Sequence, residues 1–284
     1  MPDIAYINGT FMNLSEAVIS VEDRGFQFGD GIYEVVRVYD QVPHLLREHI
    51  DRLKISAASI HLSDEFSYDE WQKIVREGIE RSGYAQAKIY IQLTRGVSPR
   101  DHRFPGSIPL TKIMTVREID VDDPQLRIDG VTTITVNDIR WNRCDIKSLN
   151  LLPNILAKEE AMQAGAFEAL FVRDGLVYEG SSSTIMIVKN GVLQTPPESP
   201  RILSGITRDW VLHLARSSKI SVIESHITIE ELQGAKEVLL TGTTIEIMPV
   251  VCIDNNSIGC GKPGEIYSHL YEKFIASIPK SPFS

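Results

Sequence analysis

Apolar residues recur along this chain at two spacings, and the alternation between them lays out its elements. Two short apolar stretches within residues 6–11 flank Asn8-Gly9, the dipeptide that fills both left-handed positions of a type I′ turn, so a hairpin is predicted near the start. Over residues 32–39 the period is two, with Tyr33, Val35 and Arg37 on one face and Glu34, Val36 and Val38 on the other, as a strand requires. After a turn at Asp40-Gln41 the period lengthens. Leu46, Ile50, Leu53, Ala57 and Ile60 recur at helical spacing, as do Trp71, Ile74, Val75 and Ile79. Strands are predicted over residues 87–94, 108–116 and 131–141. A helix follows through Leu149, Leu152 and Leu156, then strands at 169–173 and 184–188, with a turn at Lys189-Asn190-Gly191. A helix over 207–216, a strand at 238–240 and a last helix from Gly264 complete the pattern.

Hairpins mixed with helices favour an α+β fold over a doubly wound parallel sheet. The chain has 284 residues, enough for two domains. The acidic stretch Glu118-Ile119-Asp120-Val121-Asp122-Asp123-Pro124 is the best linker, giving an N-terminal domain at 1–119 and a C-terminal domain at 120–284. A net charge of −9 argues against nucleic acid or an anionic membrane as partner. The longest apolar candidate for a membrane span, residues 238–253, is interrupted by Glu246. No basic stretch followed by an apolar core opens the chain, and Cys144, Cys252 and Cys260 are an odd number without framework spacing. Reduced thiols in a cytoplasmic protein are expected. The seven histidines are scattered, so no metal site is expected.

Two segments carry chemistry. Arg143-Cys144-Asp145-Ile146-Lys147-Ser148-Leu149-Asn150 places a lysine between a strand-like run and a helical pattern, and Glu179-Gly180-Ser181-Ser182-Ser183 places a carboxylate beside hydroxyls at another strand end. A lysine and a distant carboxylate are what pyridoxal phosphate needs at opposite ends of its ring system. Gly205-Ile206-Thr207 opens a helix, whose free amides and dipole suit a phosphate, and Thr241-Gly242-Thr243-Thr244 is a hydroxyl-rich turn after a strand. The charged loop Ser98-Pro99-Arg100-Asp101-His102-Arg103 offers arginines, whose planar fork matches a carboxylate. Two decoys fail. Gly259-Cys260-Gly261-Lys262-Pro263-Gly264 has no room for a βαβ unit behind it, and Gly180-Ser181-Ser182-Ser183-Thr184 lacks the nucleophile-elbow frame.

The wording Asp-Ile-Lys-Ser-Leu-Asn-Leu-Leu after residue 144 and Glu-Gly-Ser-Ser-Ser at 179–183 resembles the fold-type-IV pyridoxal phosphate-dependent aminotransferases, and within them the D-amino acid branch, from Tyr6 to about Lys280. The resemblance implies a small N-terminal α/β domain, a larger barrel-like C-terminal domain and a cofactor between them. It implies Lys147 as the Schiff-base and proton-shuttling residue, and Glu179 as the carboxylate at the pyridine nitrogen. Ser182, Ile206, Thr207 and Thr243 join the cofactor contacts, with Arg52 as cationic partner of the phosphate; by itself Arg52 reads as an ordinary exposed arginine. Tyr33, Arg100 and His102 form a substrate carboxylate trap, whose loop comes from the other subunit of a homodimer. The implied reaction passes an amino group from a D-amino acid such as D-alanine to a 2-oxo acid such as 2-oxoglutarate, with ping-pong kinetics. The alternatives are a branched-chain L-aminotransferase or an (R)-amine transaminase on the same scaffold, a lyase, or a binding module that has kept the fold without its catalysis.

Overall fold

Asn8 and Gly9 take up φ values of 47° and 98°, and the hairpin they close joins β1 (Ile4–Ile7) to β2 (Thr10–Asn13). In the computed structural model, which describes residues 2–62, 67–119 and 123–279, the chain forms two units. The first comprises Met1–Asp120, Ile146–Asn150 and Ile278–Ser284; the second comprises Val121–Asp145 and Leu151–Ser277. The linker candidate at 118–124 lies partly outside the described residues.

The first unit continues with α1 (Arg24–Phe28), β3 (Gly31–Tyr39), β4 (Val42–Pro43), α2 (Leu46–Ser59), α3 (Tyr68–Ser82), β5 (Ala87–Thr94) and β6 (Thr111–Glu118). Among the described residues its strands form one six-stranded antiparallel sheet ordered β2-β1-β6-β5-β3-β4. One sheet face presents Ile32, Val36, Val38, Ile89, Ile91, Leu93, Met114 and Val116 to α2 and α3, which answer with Ile50, Leu53, Trp71, Val75 and Ile79. The period of two on β3 and the helical period on α2 and α3 thus meet in a single core. Ser67 accepts a hydrogen bond from the Glu70 amide at 3.2 Å to start α3, and Gly83 at φ 69° ends it. The other sheet face carries Tyr33, Val35, Tyr90 and Gln92, with Tyr33 opposite Gln92 and Val35 opposite Tyr90. The strand predicted from Ile108 begins at Thr111 instead; Pro109, with no N–H, cannot donate to a ladder.

The second unit contains α4 (Gln125–Asp129), β7 (Val131–Asn137), α5 (Leu152–Gln163), β8 (Glu168–Arg173), β9 (Leu176–Gly180), β10 (Thr184–Lys189), β11 (Val192–Thr195) and α6 (Ile206–Ser217). It continues through β12 (Ser221–Glu224), β13 (Ile227–Thr228), α7 (Ile229–Gln233), β14 (Glu237–Gly242), β15 (Glu246–Ile253), β16 (Asn256–Ser257) and α8 (Glu265–Ser277). Its strands form a mixed sheet in the order β12-β11-β10-β14-β15-β7-β8-β9-β13, with β16 on β15. α5 connects the parallel pair β7 and β8, while Asn190 and Gly191 at φ 52° and 76° close the β10–β11 hairpin. The apolar run 238–253 is a hairpin of β14 and β15, with Glu246 paired to Arg127 at 2.9 Å. Among the described residues no helix is long and apolar enough to cross a membrane, and no group of His, Cys, Asp or Glu has the arrangement of a metal site.

Two predicted bounds shift in this unit. β7 ends at Asn137 rather than Trp141, because Asp138 and Arg140 turn inward to pair with each other while Ile139 and Trp141 are exposed. α5 starts at Leu152, so Leu149 lies outside it, and Leu152 and Leu156 are exposed rather than core.

Candidate active site

In the first unit, Glu34 is the one charged residue among Ile32, Glu34, Val36 and Val38 on the buried face of β3, and it is fully buried. α2 answers it from one turn: Arg52 donates Nε to Oε1 at 2.7 Å and Nη2 to Oε2 at 2.9 Å, and His49 Nδ1 lies 2.7 Å from Oε2. Burial alone would raise the Glu34 pKa, but the charge and hydrogen bonds of Arg52, with His49 added, bring it down to about 2. Burial pushes His49 below its ordinary range, against the pull of Glu34, so the imidazole is neutral at pH 7 and donates Nδ1–H. Arg52 is therefore no ordinary exposed arginine. Its side chain is 11% exposed and clamped in a bidentate pair.

The segment Ile146–Asn150 runs along the start of β3. Tyr33 N donates to the Lys147 carbonyl at 2.9 Å, Leu149 N to the Gly31 carbonyl at 3.1 Å, and Lys147 N to Ser56 Oγ at 3.2 Å. With its backbone fixed at these points, half-buried Lys147 holds its ammonium 4.4 Å from the centre of the Tyr33 ring. Tyr33 in turn stacks on Tyr90 at 5.6 Å. Among the described residues the Lys147 amine has neither carboxylate nor hydrogen-bond partner.

In the second unit, Arg140 donates Nε to Asp138 Oδ1 at 2.9 Å and Nη2 to Oδ2 at 3.1 Å, and its Nη1 bonds Glu179 Oε1. The Leu203 amide gives Glu179 Oε2 a bond of 3.1 Å. Burial opposes the charge on Arg140, but Asp138 and Glu179 push its pKa above the ordinary range, so Glu179 faces a permanent cation. Next to it, buried Glu168 collects the turn at 181–183. Ser181 Oγ donates at 2.5 Å, Ser182 Oγ at 3.1 Å, and Ser183 Oγ at 3.2 Å. The Ser182 hydroxyl thus points to Glu168.

Three features suited to a phosphate lie near one another in this unit. Thr184 pairs with Thr241 across β10 and β14. A Cβ on Gly205 would come within 2.6 Å of Thr184 Oγ1, and one on Gly242 within 3.6 Å of the Ser182 carbonyl. Gly205 caps α6 with no side-chain bond to the amides of its first turn, where Ile206 and Thr207 lie. Thr241 Oγ1 is buried with no hydrogen-bond partner among the described residues. An uncapped helix end with an orphaned hydroxyl and half-buried Thr243 at hand fits a phosphate monoester.

Arg100 and His102 are exposed on the loop after β5. They gather round Phe28, at 4.3 Å and 5.5 Å from its ring centre, and among the described residues neither bonds Tyr33 or Lys147. Sequence reasoning missed Glu34, His49, Asp138, Arg140, Glu168 and Leu203. A signal existed for Glu34, since a carboxylate in register with valines on an apolar face demands a cation. Asp138 and Arg140 were hidden inside a strand-like alternation, and the Leu203 amide has no signature at all.

The profile of the class IV amino-transferase family matches residues 31–253. A D-alanine aminotransferase of Bacillus licheniformis is 43% identical over 272 residues, covering 95% of both chains. One from Listeria monocytogenes serotype 1/2a is 41% identical over 278 residues, 97% of this chain and 96% of its own. Among solved structures, the branched-chain aminotransferase of the archaeon Thermoproteus uzoniensis with norvaline superposes with a TM-score of 0.87 at 28% identity, over 96% of this chain and 93% of that one. The Escherichia coli branched-chain enzyme gives 0.89 at 26% identity, over 100% and 98%.

Proposed function

The chain belongs to the class IV amino-transferases, and on that premise we propose that it transfers amino groups from D-amino acids such as D-alanine to 2-oxo acids such as 2-oxoglutarate, with pyridoxal 5′-phosphate as cofactor. The observation that carries the reading is the Lys147 amine, held over Tyr33 with no ion pair among the described residues. When bound, the cofactor supplies an aldehyde for that amine and a ring that takes up electrons as the substrate Cα loses its proton. Lys147 would hold the cofactor through its amine and would move the proton taken from the substrate Cα. Glu179 would face the pyridine nitrogen and favour its protonation, with Arg140 and the Leu203 amide orienting that carboxylate. The α6 amides at Ile206 and Thr207, with Thr243 and the Thr241 hydroxyl, would receive the phosphate. Arg52 is the cation proposed for the phosphate, and Glu34 keeps its guanidinium aligned. Ser182 shapes the adjoining turn through Glu168.

Arg100 and His102 bind the substrate carboxylate together with Tyr33, in a homodimer where the loop serves the other subunit. Three free cysteines suit a reducing cytoplasm. The rival reading, a branched-chain L-aminotransferase, draws on the fold shared with the Thermoproteus uzoniensis and Escherichia coli enzymes. The relatives at 41–43% identity that are named D-alanine aminotransferases favour the D side. The test adds D-alanine and L-alanine separately to yellow holoenzyme without an acceptor. D-alanine should bleach the visible band and L-alanine leave it, while Lys147→Ala should bleach with neither. Equal bleaching by both enantiomers defeats the D-specific assignment.

A further inference from the structure

We infer that Phe28, backed by Arg24, is a positioning residue that presets Arg100 and His102 for the carboxylate of the substrate; the inference rests on reading those two as the carboxylate-binding pair. An exposed arginine and an exposed histidine on a loop lose side-chain freedom when they grip a ligand. Here part of that ordering is already done. The Arg100 guanidinium lies 4.3 Å from the Phe28 ring centre and the His102 ring 5.5 Å from it. Arg100 Nη1 donates to the Gln27 carbonyl at 3.2 Å, so its Nε and Nη2, which make no hydrogen bond among the described residues, form the edge left for a bidentate anion. The carboxylate between the two residues does not compete. Asp101 turns to Arg103, at 3.0 Å from its Nε and 2.7 Å from its Nη2.

A second cation also lies against the Phe28 ring. Arg24 is 3% exposed and lies 4.8 Å from the same ring. It donates Nη1 to the carbonyl of Asp101 at 2.6 Å, so one guanidinium grips both the ring and the backbone between Arg100 and His102. Arg24 Nε bonds Asp30 Oδ2 at 2.8 Å, and Arg95 Nε shares that oxygen at 2.8 Å, tying the loop's first residue to the same anchor. The Arg24 amide also donates to the Gly96 carbonyl at 2.9 Å. α1 thus serves as a rigid seat for a loop that has no regular structure of its own.

The experiment compares Phe28→Leu and Phe28→Met, which remove the ring, with Phe28→Tyr, which keeps it, and with Arg100→Ala. All are assayed as holoenzyme for the KM and kcat of D-alanine, cofactor absorbance and thermal midpoint. The inference expects the KM to rise about tenfold in the two ring-less variants, the scale of a lost cation–π contact. It also expects kcat within about threefold, full cofactor occupancy, an unmoved midpoint, and recovery in Phe28→Tyr. An unchanged KM in both ring-less variants, with a raised KM in Arg100→Ala, overturns the positioning role while sparing the carboxylate reading. An unchanged KM in Arg100→Ala overturns that reading, and the inference with it. A rise in KM matched by losses of cofactor and midpoint overturns the inference in favour of a merely structural ring.

Discussion

A carboxylate placed among valines on a core-facing strand survives only if cations meet it, and Glu34 shows what such a meeting implies for acid. Its pKa of about 2 lies below the ordinary value of 4.5, so the folded state gains stability above pH 4.5 and loses it as pH falls towards 2, about 3 kcal/mol in all. His49 acts in the same direction by another route. Burial holds it below 6.5, so the unfolded chain binds protons first and stability begins to fall below that pH. His44, lowered to about 4 by burial and by His49, adds to the same limb. Glu34→Gln should therefore cost about 3 kcal/mol at pH 7, since it removes the buried charge that pairs with Arg52. The gap from the parent protein should close as pH approaches 2, where Glu34 would be protonated anyway. Urea unfolding at pH 7 and at pH 3 checks this, and a difference that stays constant with pH rules out the ionised Glu34 as its source.

At the scale of elements, what the sequence discloses depends on whether a segment obeys its own period. β3, α2, α3 and β5 are legible because apolar residues mark one face over many positions. β13 and β16 are two residues long, and no pattern fits into two positions. The Lys147 segment is neither strand nor helix; an isolated bridge from Ser148 to Ile32 and bonds to Gly31, Tyr33 and Ser56 hold it, which only the tertiary fold decides. Glu179 and the helix start at Ile206–Thr207 could be anticipated from local wording, but the Asp138–Arg140 fork that braces Glu179 required the three-dimensional fold. The start of α6 also makes a prediction. Gly205 leaves no space for a Cβ, which would meet Thr184 Oγ1 at 2.6 Å and Arg208 Cβ at 3.1 Å. Gly205→Ala should displace the first turn and weaken pyridoxal phosphate retention about tenfold, a loss of about 1.4 kcal/mol. Equilibrium dialysis of the cofactor measures it, and unaltered retention removes the α6 terminus from the phosphate site.

Whether two copies cooperate is a question for the whole molecule. Leu152, Ile155 and Leu156 stand 67%, 59% and 54% exposed along one side of α5, an apolar ridge of the kind that a second subunit covers. Arg100 and His102 bond neither Tyr33 nor Lys147 within one chain among the described residues, which agrees with a loop that works in its partner's site. Subunit mixing can decide this without knowledge of the interface. Lys147→Ala lacks the amine, and Arg100→Ala lacks the proposed carboxylate grip; each alone should turn over D-alanine poorly at low substrate. In a mixed dimer with the loop acting across subunits, one site collects both defects and the other collects none. Half of the dimers in an equal mixture are mixed, and each has one intact site of two, so about one quarter of the parent activity should return. If the loop serves its own chain, each site of the mixed dimer keeps one defect and no activity returns. Unfolding and refolding the two variants together, then assaying D-alanine turnover against the same variants refolded apart, separates these outcomes. The expected gain depends on stoichiometry alone, so an absence of gain in a mixture shown to contain mixed dimers would refute the exchange of loops.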